Sequence, residues 1–200
     1  RFEPDKGIGK FSREVISGTF NNPESYASDG QLIIDTEFSK EVFEQYALLY
    51  KEYIIEPDIK EALKKLNWIR FLCVTRKNDQ SVSIVNKQIQ YFLSTKVPEF
   101  KPKSEGFYHN QPIIITQNDY KLGLFNGDAG IIRSKKTADG DVLFAYFEAE
   151  EGKIREIQAG YLNHYETVFA MTIHKSQGSE FNYVVVILPE KQGEKLLTRE

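Results

Sequence analysis

Between Phe169 and Phe181 the sequence gathers Thr172, His174, Lys175, Ser176 and Gln177, then Gly178, Ser179 and Glu180. A hydroxyl, an imidazole, an ammonium and an amide so close together supply positive charge and hydrogen-bond donors. A phosphodiester backbone is satisfied by such a mixture and needs no base-reading group. Gly178 lets the chain approach a ligand closely, or take a backbone conformation closed to a side chain. Glu180 offers an acceptor to a ribose hydroxyl. An acyl-transfer reading, with His174 as base and Ser176 or Ser179 as nucleophile, lacks a carboxylate and an oxyanion turn to complete it. The bland alternative is a polar loop between two strands.

The flanking residues must hold this cluster. Thr167–Thr172 and Tyr183–Leu188 read as apolar core strands, and polar groups set between buried strands are presented rigidly. Upstream, Trp68–Thr75 is a third core strand ending in Arg76 and Lys77, and such a strand end in an α/β sheet permits a phosphate contact. Helical spacing appears in Ile8, Phe11, Val15 and Ile16, with Gly18 to end the turn. It recurs from Phe38 to Tyr53, from Ile59 to Leu66 with Pro57 in the first turn, and from Val82 to Phe92 with Asp79 or Ser81 as cap. Gln31–Asp35 reads as a short strand. Helices alternating with doubly apolar strands predict a parallel α/β sheet.

The texture changes near Lys96. Five short strand-like runs follow: Pro112–Thr116, Lys121–Phe125, Gly130–Arg133, Val142–Phe147 and Lys153–Ile157. Asn126-Gly127-Asp128 and Asp139-Gly140-Asp141 between them are hairpin signals, because these residues tolerate positive φ. The organisation predicted is an α/β domain formed by residues 1–98 and 161–200, interrupted by a small barrel-like β module over 99–160.

Composition narrows the function classes. The chain has 200 residues, one cysteine (Cys73) and a formal net charge of −3. An internal disulfide is excluded, a cysteine-rich zinc site is absent, and His109, His164 and His174 have no recognisable ligand spacing. The charge balance argues against a strongly basic nucleic-acid binder, so any contact needs a local positive strip, to which Lys101, Lys103, Lys135 and Lys136 are candidates. No run is apolar enough to span a bilayer and no basic-then-apolar leader is visible, and the single cysteine is compatible with a reducing cytosol. The chain opens at Arg1 without Met and stops soon after Lys195-Leu196-Leu197, which reads as a fragment.

As a string, Thr172-Ile173-His174-Lys175-Ser176-Gln177-Gly178-Ser179-Glu180-Phe181 resembles a motif near the end of the second motor domain of superfamily 1B DNA helicases, in the form carried by the RecD family of exodeoxyribonuclease V subunits. Asn110–Tyr120 continuing to Gly130 is similar to that family's inserted 2B module, an SH3-like barrel beside the DNA path. Arg70–Lys77 with Val85–Ile89 is similar to its second motor domain. Arg1-Phe2 before Gly7-Ile8-Gly9-Lys10-Phe11 resembles the segment that carries an arginine finger.

The resemblance implies a RecA-like second motor domain (2A) with an SH3-like insertion. It implies that Thr172, His174 and Lys175 meet single-stranded DNA while Gly178 and Glu180 face ATP, a shared contact that couples the two ligands. Arg1 would reach the γ-phosphate, a task suited to a guanidinium's fork of donors. Asn118 and Asp119 become candidates for DNA or a neighbouring domain, and Arg76 for phosphate. There is no phosphate-binding loop and no Asp-Glu strand end for Mg²⁺. ATP and Mg²⁺ are therefore implied for the full-length protein, whose first motor domain is absent here, and this fragment alone is predicted to hold no Mg²⁺ and to be inactive. RecB- and RecC-like subunits are the implied partners, in double-strand-break repair. A RecD2-like helicase acting without them, and a non-catalytic nucleic-acid binding or adaptor module, are the alternative readings.

Overall fold

The structure is a computed structural model that describes residues 3, 5–21, 31–34, 38–74, 81–138 and 140–188. The chain divides into two units, Arg1–Phe43 and Glu44–Glu200. In the first, helix α1 (Gly7–Ser17) ends at Gly18, whose φ of 71° turns the backbone left-handed, as expected of a glycine just past a helix end. Gln31–Ile34 forms no strand, contrary to the reading of Gln31–Asp35, and Asp35 lies outside the described residues.

The long apolar stripe is realised as α2 (Lys40–Ala47), a 3₁₀ turn at Leu48–Tyr50 and α3 (Lys51–Ile54). Helix α4 (Ile59–Leu66) starts at Asp58, whose side chain accepts from the Glu61 N–H at 2.9 Å. A capping carboxylate thus opens the helix, and Pro57 stands ahead of the cap rather than in the first turn. Strand β1 (Ile69–Cys73) is buried at every position. Helix α5 (Val82–Lys96) follows, with Ser81 at the cap position but making no capping bond.

Strands β2 (Pro112–Ile115), β3 (Ala129–Thr137), β4 (Gly140–Glu148), β5 (Ile154–Gln158) and β6 (Tyr165–Thr167) form an antiparallel sheet in the order β5-β4-β3-β2-β6. Its core includes Ile113, Ile115, Ile132, Phe147 and Ile157. Gly130 is required by packing: a Cβ there would sit 2.6 Å from both the Phe147 ring and the Tyr146 carbonyl. The expected strand at Lys121–Phe125 is instead a tight turn closed by an isolated bridge between Asp119 and Leu124.

Strands β7 (Ala170–Thr172) and β8 (Tyr183–Ile187) lie parallel to β1, in the order β7-β1-β8. The run read as one strand over Thr167–Thr172 is therefore two. The chain leaves the antiparallel sheet at Thr167 and enters the parallel one at Ala170, with Val168 and Phe169 fully buried between. Strand β8 also departs from its reading as a core strand. Among the described residues it pairs with β1 alone, and Tyr183, Val184 and Val186 are 51%, 47% and 51% exposed. Apolar composition reports a strand; whether the strand is central or at an edge depends on its neighbours.

Three buried polar side chains knit this second unit. Asn86, on α5, accepts from the Phe169 and Ala170 N–H groups and donates to the Ala170 carbonyl at 2.8, 3.0 and 2.9 Å. Its amide thereby stands in for a neighbouring strand along the open edge of β7. Arg70 is fully buried and, among the described residues, has no carboxylate partner; it donates to the Val168 carbonyl and to Asn67 Oδ1, and its guanidinium lies 5.1 Å from the Phe181 ring centre. Burial pulls its pKa down. The Tyr50 hydroxyl donates to the Ile69 and Phe169 carbonyls, and burial pushes it up to about 12.

Candidate functional site

The residues from Thr172 to Glu180 leave the carboxyl end of β7 and pass to the amino end of β8, where the Tyr183 N–H meets the Trp68 carbonyl. In parallel sheets the carboxyl ends of strands are where ligands bind. Thr172 is 9% exposed, and its Oγ1 accepts from the Lys175 N–H at 3.3 Å. That bond starts a 3₁₀ turn over His174–Ser176, which Ser176 Oγ locks by donating to the Ile173 carbonyl at 2.8 Å. Ile173 N–H is held in turn by the Cys73 carbonyl of β1. The turn is thus fastened to the sheet through its backbone while its side chains point outward.

Gly178 follows with φ of 83°, and nothing lies within 4 Å of where a Cβ would be. The glycine answers a left-handed backbone, not a crowded one. His174, Gln177, Gly178, Ser179 and Glu180 are all exposed. The side chains of His174, Gln177 and Glu180 form no hydrogen bond or ion pair with any described residue. The result is a ridge of free polar groups that ends where Phe181 folds onto Arg70. Lys175 differs from its neighbours: its Nζ lies 3.2 Å from Glu166 Oε2 on β6.

Asn118 is exposed, yet its polar atoms are engaged. Its Oδ1 accepts from the Asn126 N–H at 2.8 Å, and its Nδ2 lies 3.2 Å from the Tyr120 hydroxyl. Asp119 Oδ1 accepts from the Lys121 and Leu122 N–H groups, and Asp128 Oδ2 from that of Phe125. No hydrogen bond joins this turn to the 172–180 ridge. Arg1 and Arg76 lie outside the described residues. The structure therefore gathers Thr172, His174, Lys175, Gly178 and Glu180 on one stretch, and keeps Asn118 apart. Among the described residues, no group of three His, Cys, Asp or Glu side chains is placed to hold a metal ion, and no helix is long and apolar enough to cross a membrane.

Sequence reasoning missed Asn86, Glu166 and Phe181. Asn86 carried a usable signal: an asparagine between Val85 and Ile89 is a weak helix former in a helix interior, and such residues persist where their amide bonds to backbone. Glu166 and Phe181 carried none.

Residues 167–200 match the family described as the UvrD-like helicase C-terminal domain. The RecBCD enzyme subunit RecD of Mycolicibacterium smegmatis is 38% identical over 161 residues, covering 80% of this chain and 27% of that protein. The RecBCD enzyme subunit RecD of Haemophilus influenzae is 30% identical over 228 residues, covering all of this chain and 33% of that protein. This chain is a RecD homologue. It spans about a third or less of the length of those relatives, 33% and 27%, and matches their C-terminal part. The ATP-dependent RecD2 DNA helicase of Deinococcus radiodurans is 32% identical to this RecD homologue over 78 residues, 39% of the chain and 10% of that protein. Among solved structures, a Pif1 helicase from Bacteroides in complex with ADP-AlF3 and ssDNA aligns at 14% identity and a TM-score of 0.36, over 84% of this chain and 48% of that one. That degree of likeness carries no weight for the site.

Proposed function

We propose that this RecD homologue is part of an ATP-dependent 5′-to-3′ DNA helicase, and that Glu44–Glu200 holds most of its second RecA-like motor domain together with an SH3-like insertion. The observation that carries the reading is the polar ridge that follows buried Thr172, exposed at His174 and from Gln177 to Glu180, set at the end of a parallel strand inside the stretch matched by the helicase family. In this reading Thr172, His174 and Lys175 meet the single strand, and Gly178 and Glu180 face ATP. Arg1 approaches the γ-phosphate and Arg76 adds a phosphate contact, while Asn118, whose polar atoms are engaged within its own turn, stays out of the contact. The described residues offer a nucleotide an open, left-handed backbone at Gly178 and one exposed carboxylate at Glu180, which suits a ribose or base more than Mg²⁺. The phosphates and Mg²⁺ then belong chiefly to a first motor domain.

The ridge binds and orients without breaking bonds. His174 and Lys175 supply positive charge or donors to phosphate oxygens, while the backbone anchors at Thr172 and Ser176 keep them in place. Because the ATP-facing and strand-facing groups share one continuous turn, a shift at Gly178–Glu180 moves the grip at His174, and the linkage is reciprocal. The cellular role in this reading is double-strand-break repair in the bacterial cytoplasm, beside RecB- and RecC-like subunits. The match to a RecD2 helicase supports a second version in which the motor works without them.

The test is fluorescence anisotropy with a labelled single strand. The 200-residue chain should bind, His174→Ala should weaken it about tenfold, and turnover of ATP by the chain alone should be negligible. Binding that is indifferent to His174 removes that residue from the interface, and strong DNA-stimulated ATP hydrolysis overturns the division of labour between two motor domains.

A further inference from the structure

Lys175 sits where the two sheets of the second unit meet. Its side chain is 19% exposed, whereas that of its partner Glu166 is 52% exposed. The lysine's surroundings are a narrow crevice that it shares with Val82, Ile114, Thr167, Met171 and Thr172. Its backbone is fixed by Thr172, so the ammonium alone is free to swing. On the ridge from Thr172 to Glu180 it is the sole lysine or arginine. In the present structure that charge is turned to β6, towards a carboxylate of the antiparallel sheet.

We infer that Glu166 is a specificity-determining residue that competes with nucleic-acid phosphate for Lys175. This rests on the nucleic-acid reading of the ridge. In the free protein Glu166 parks the ammonium on β6; when a strand lies along the ridge, a phosphate replaces the carboxylate. The exchange is feasible because the carboxylate half of the pair is half-exposed and screened by water, and because a lysine head on a four-carbon stem pivots without moving its backbone. Each occupied phosphate also releases condensed counterions, which favours the swap at low salt. Glu166 thereby sets a threshold: short or weakly charged ligands fail to displace it. The same swap removes one tie between the two sheets.

The experiment combines oligonucleotide binding and lysine labelling on the 200-residue chain. Glu166→Gln should bind a labelled oligodeoxythymidylate several-fold more tightly at low salt. The plot of log affinity against log salt should keep nearly the wild-type slope, because Lys175 meets a phosphate in both complexes, whereas Lys175→Gln should flatten it by about 0.7, the loss of one single-strand phosphate contact. Lys175→Gln should weaken binding, and adding Glu166→Gln to it should change nothing further. If Glu166→Gln raises affinity equally with and without Lys175, the glutamate acts by general repulsion and the competition is wrong. If it leaves affinity unchanged in a wild-type background that does bind, the inference also fails. Reductive methylation read by mass spectrometry gives a ligand-free check: Lys175 should label several-fold faster in Glu166→Gln, and equal rates overturn the parked state. Failure of the wild type to bind any oligonucleotide, with the labelling difference intact, instead overturns the nucleic-acid reading on which the competition depends.

Discussion

Two stretches of this chain are rich in polar side chains and glycine, and they use them in opposite ways. In the turn from Asn118 to Asp128, side-chain oxygens accept from backbone N–H groups: Asn118 from Asn126, Asp119 from Lys121 and Leu122, Asp128 from Phe125. Arg155 closes the turn from outside by donating to the Gly123 carbonyl. Along the ridge from Thr172 to Glu180, Thr172 Oγ1 alone accepts in this way among the described residues, Ser176 Oγ donates to a backbone carbonyl, and His174, Gln177 and Glu180 are left unoccupied by described residues. Polar density by itself therefore marks no site. A site needs polar atoms that the fold does not consume, on a backbone that it does hold.

The largest expected effect tests what backs the ridge. Asn86→Leu should lower stability by about 3 kcal/mol, because buried backbone groups of Phe169 and Ala170 lose their partner; urea unfolding measures it, and a loss below about 1 kcal/mol would mean that β7 does not depend on that amide. Next comes alkaline titration of the buried support behind the ridge. Tyr50 has its pKa raised by burial from 10.0 to about 12. Its protonated form is the one that the fold favours, so its contribution is complete below pH 10 and is lost as pH climbs through 12. The size is on the order of 2 kcal/mol, and Tyr50→Phe should flatten that part of the pH profile in thermal melts.

Asp119→Ala comes third. Two turn N–H groups lose their acceptor, and about 1–2 kcal/mol of stability should go with them, with affinity for single strands unchanged. A drop in affinity without loss of stability would reverse the comparison and make the turn a binding surface. His174→Ala is the smallest in stability, within about 0.5 kcal/mol as for an exposed side chain, while it alone of these variants should change binding selectively.

Much of the fold was legible. Helix α1 with its Gly18 stop, α4, α5 and the buried β1 follow from apolar spacing and end signals, since 3.6-residue periodicity survives whatever the helix packs against. Hairpin chemistry at Gly140 was likewise readable: with φ of 113° it opens β4, paired with Thr137 at the end of β3. The strand reading failed at Lys121–Phe125, where apolar residues alternate but Asp119 draws two N–H groups into a turn. It also failed at Thr167–Thr172, because nothing in a continuous apolar run says that it changes sheets at Val168. The cluster from Thr172 to Glu180 was visible as chemistry, but the parking of Lys175 on Glu166 was not, since contacts between neighbouring strands depend on register.

Sequence alone determined which groups this chain can offer a ligand, and roughly which helices and strands carry them, because residue type and local periodicity are properties of short segments. Tertiary structure decided which of those groups remain available. The same asparagine or aspartate is a brace when a backbone N–H lies within reach and a free donor or acceptor when none does, and only the packing of distant strands fixes that distance.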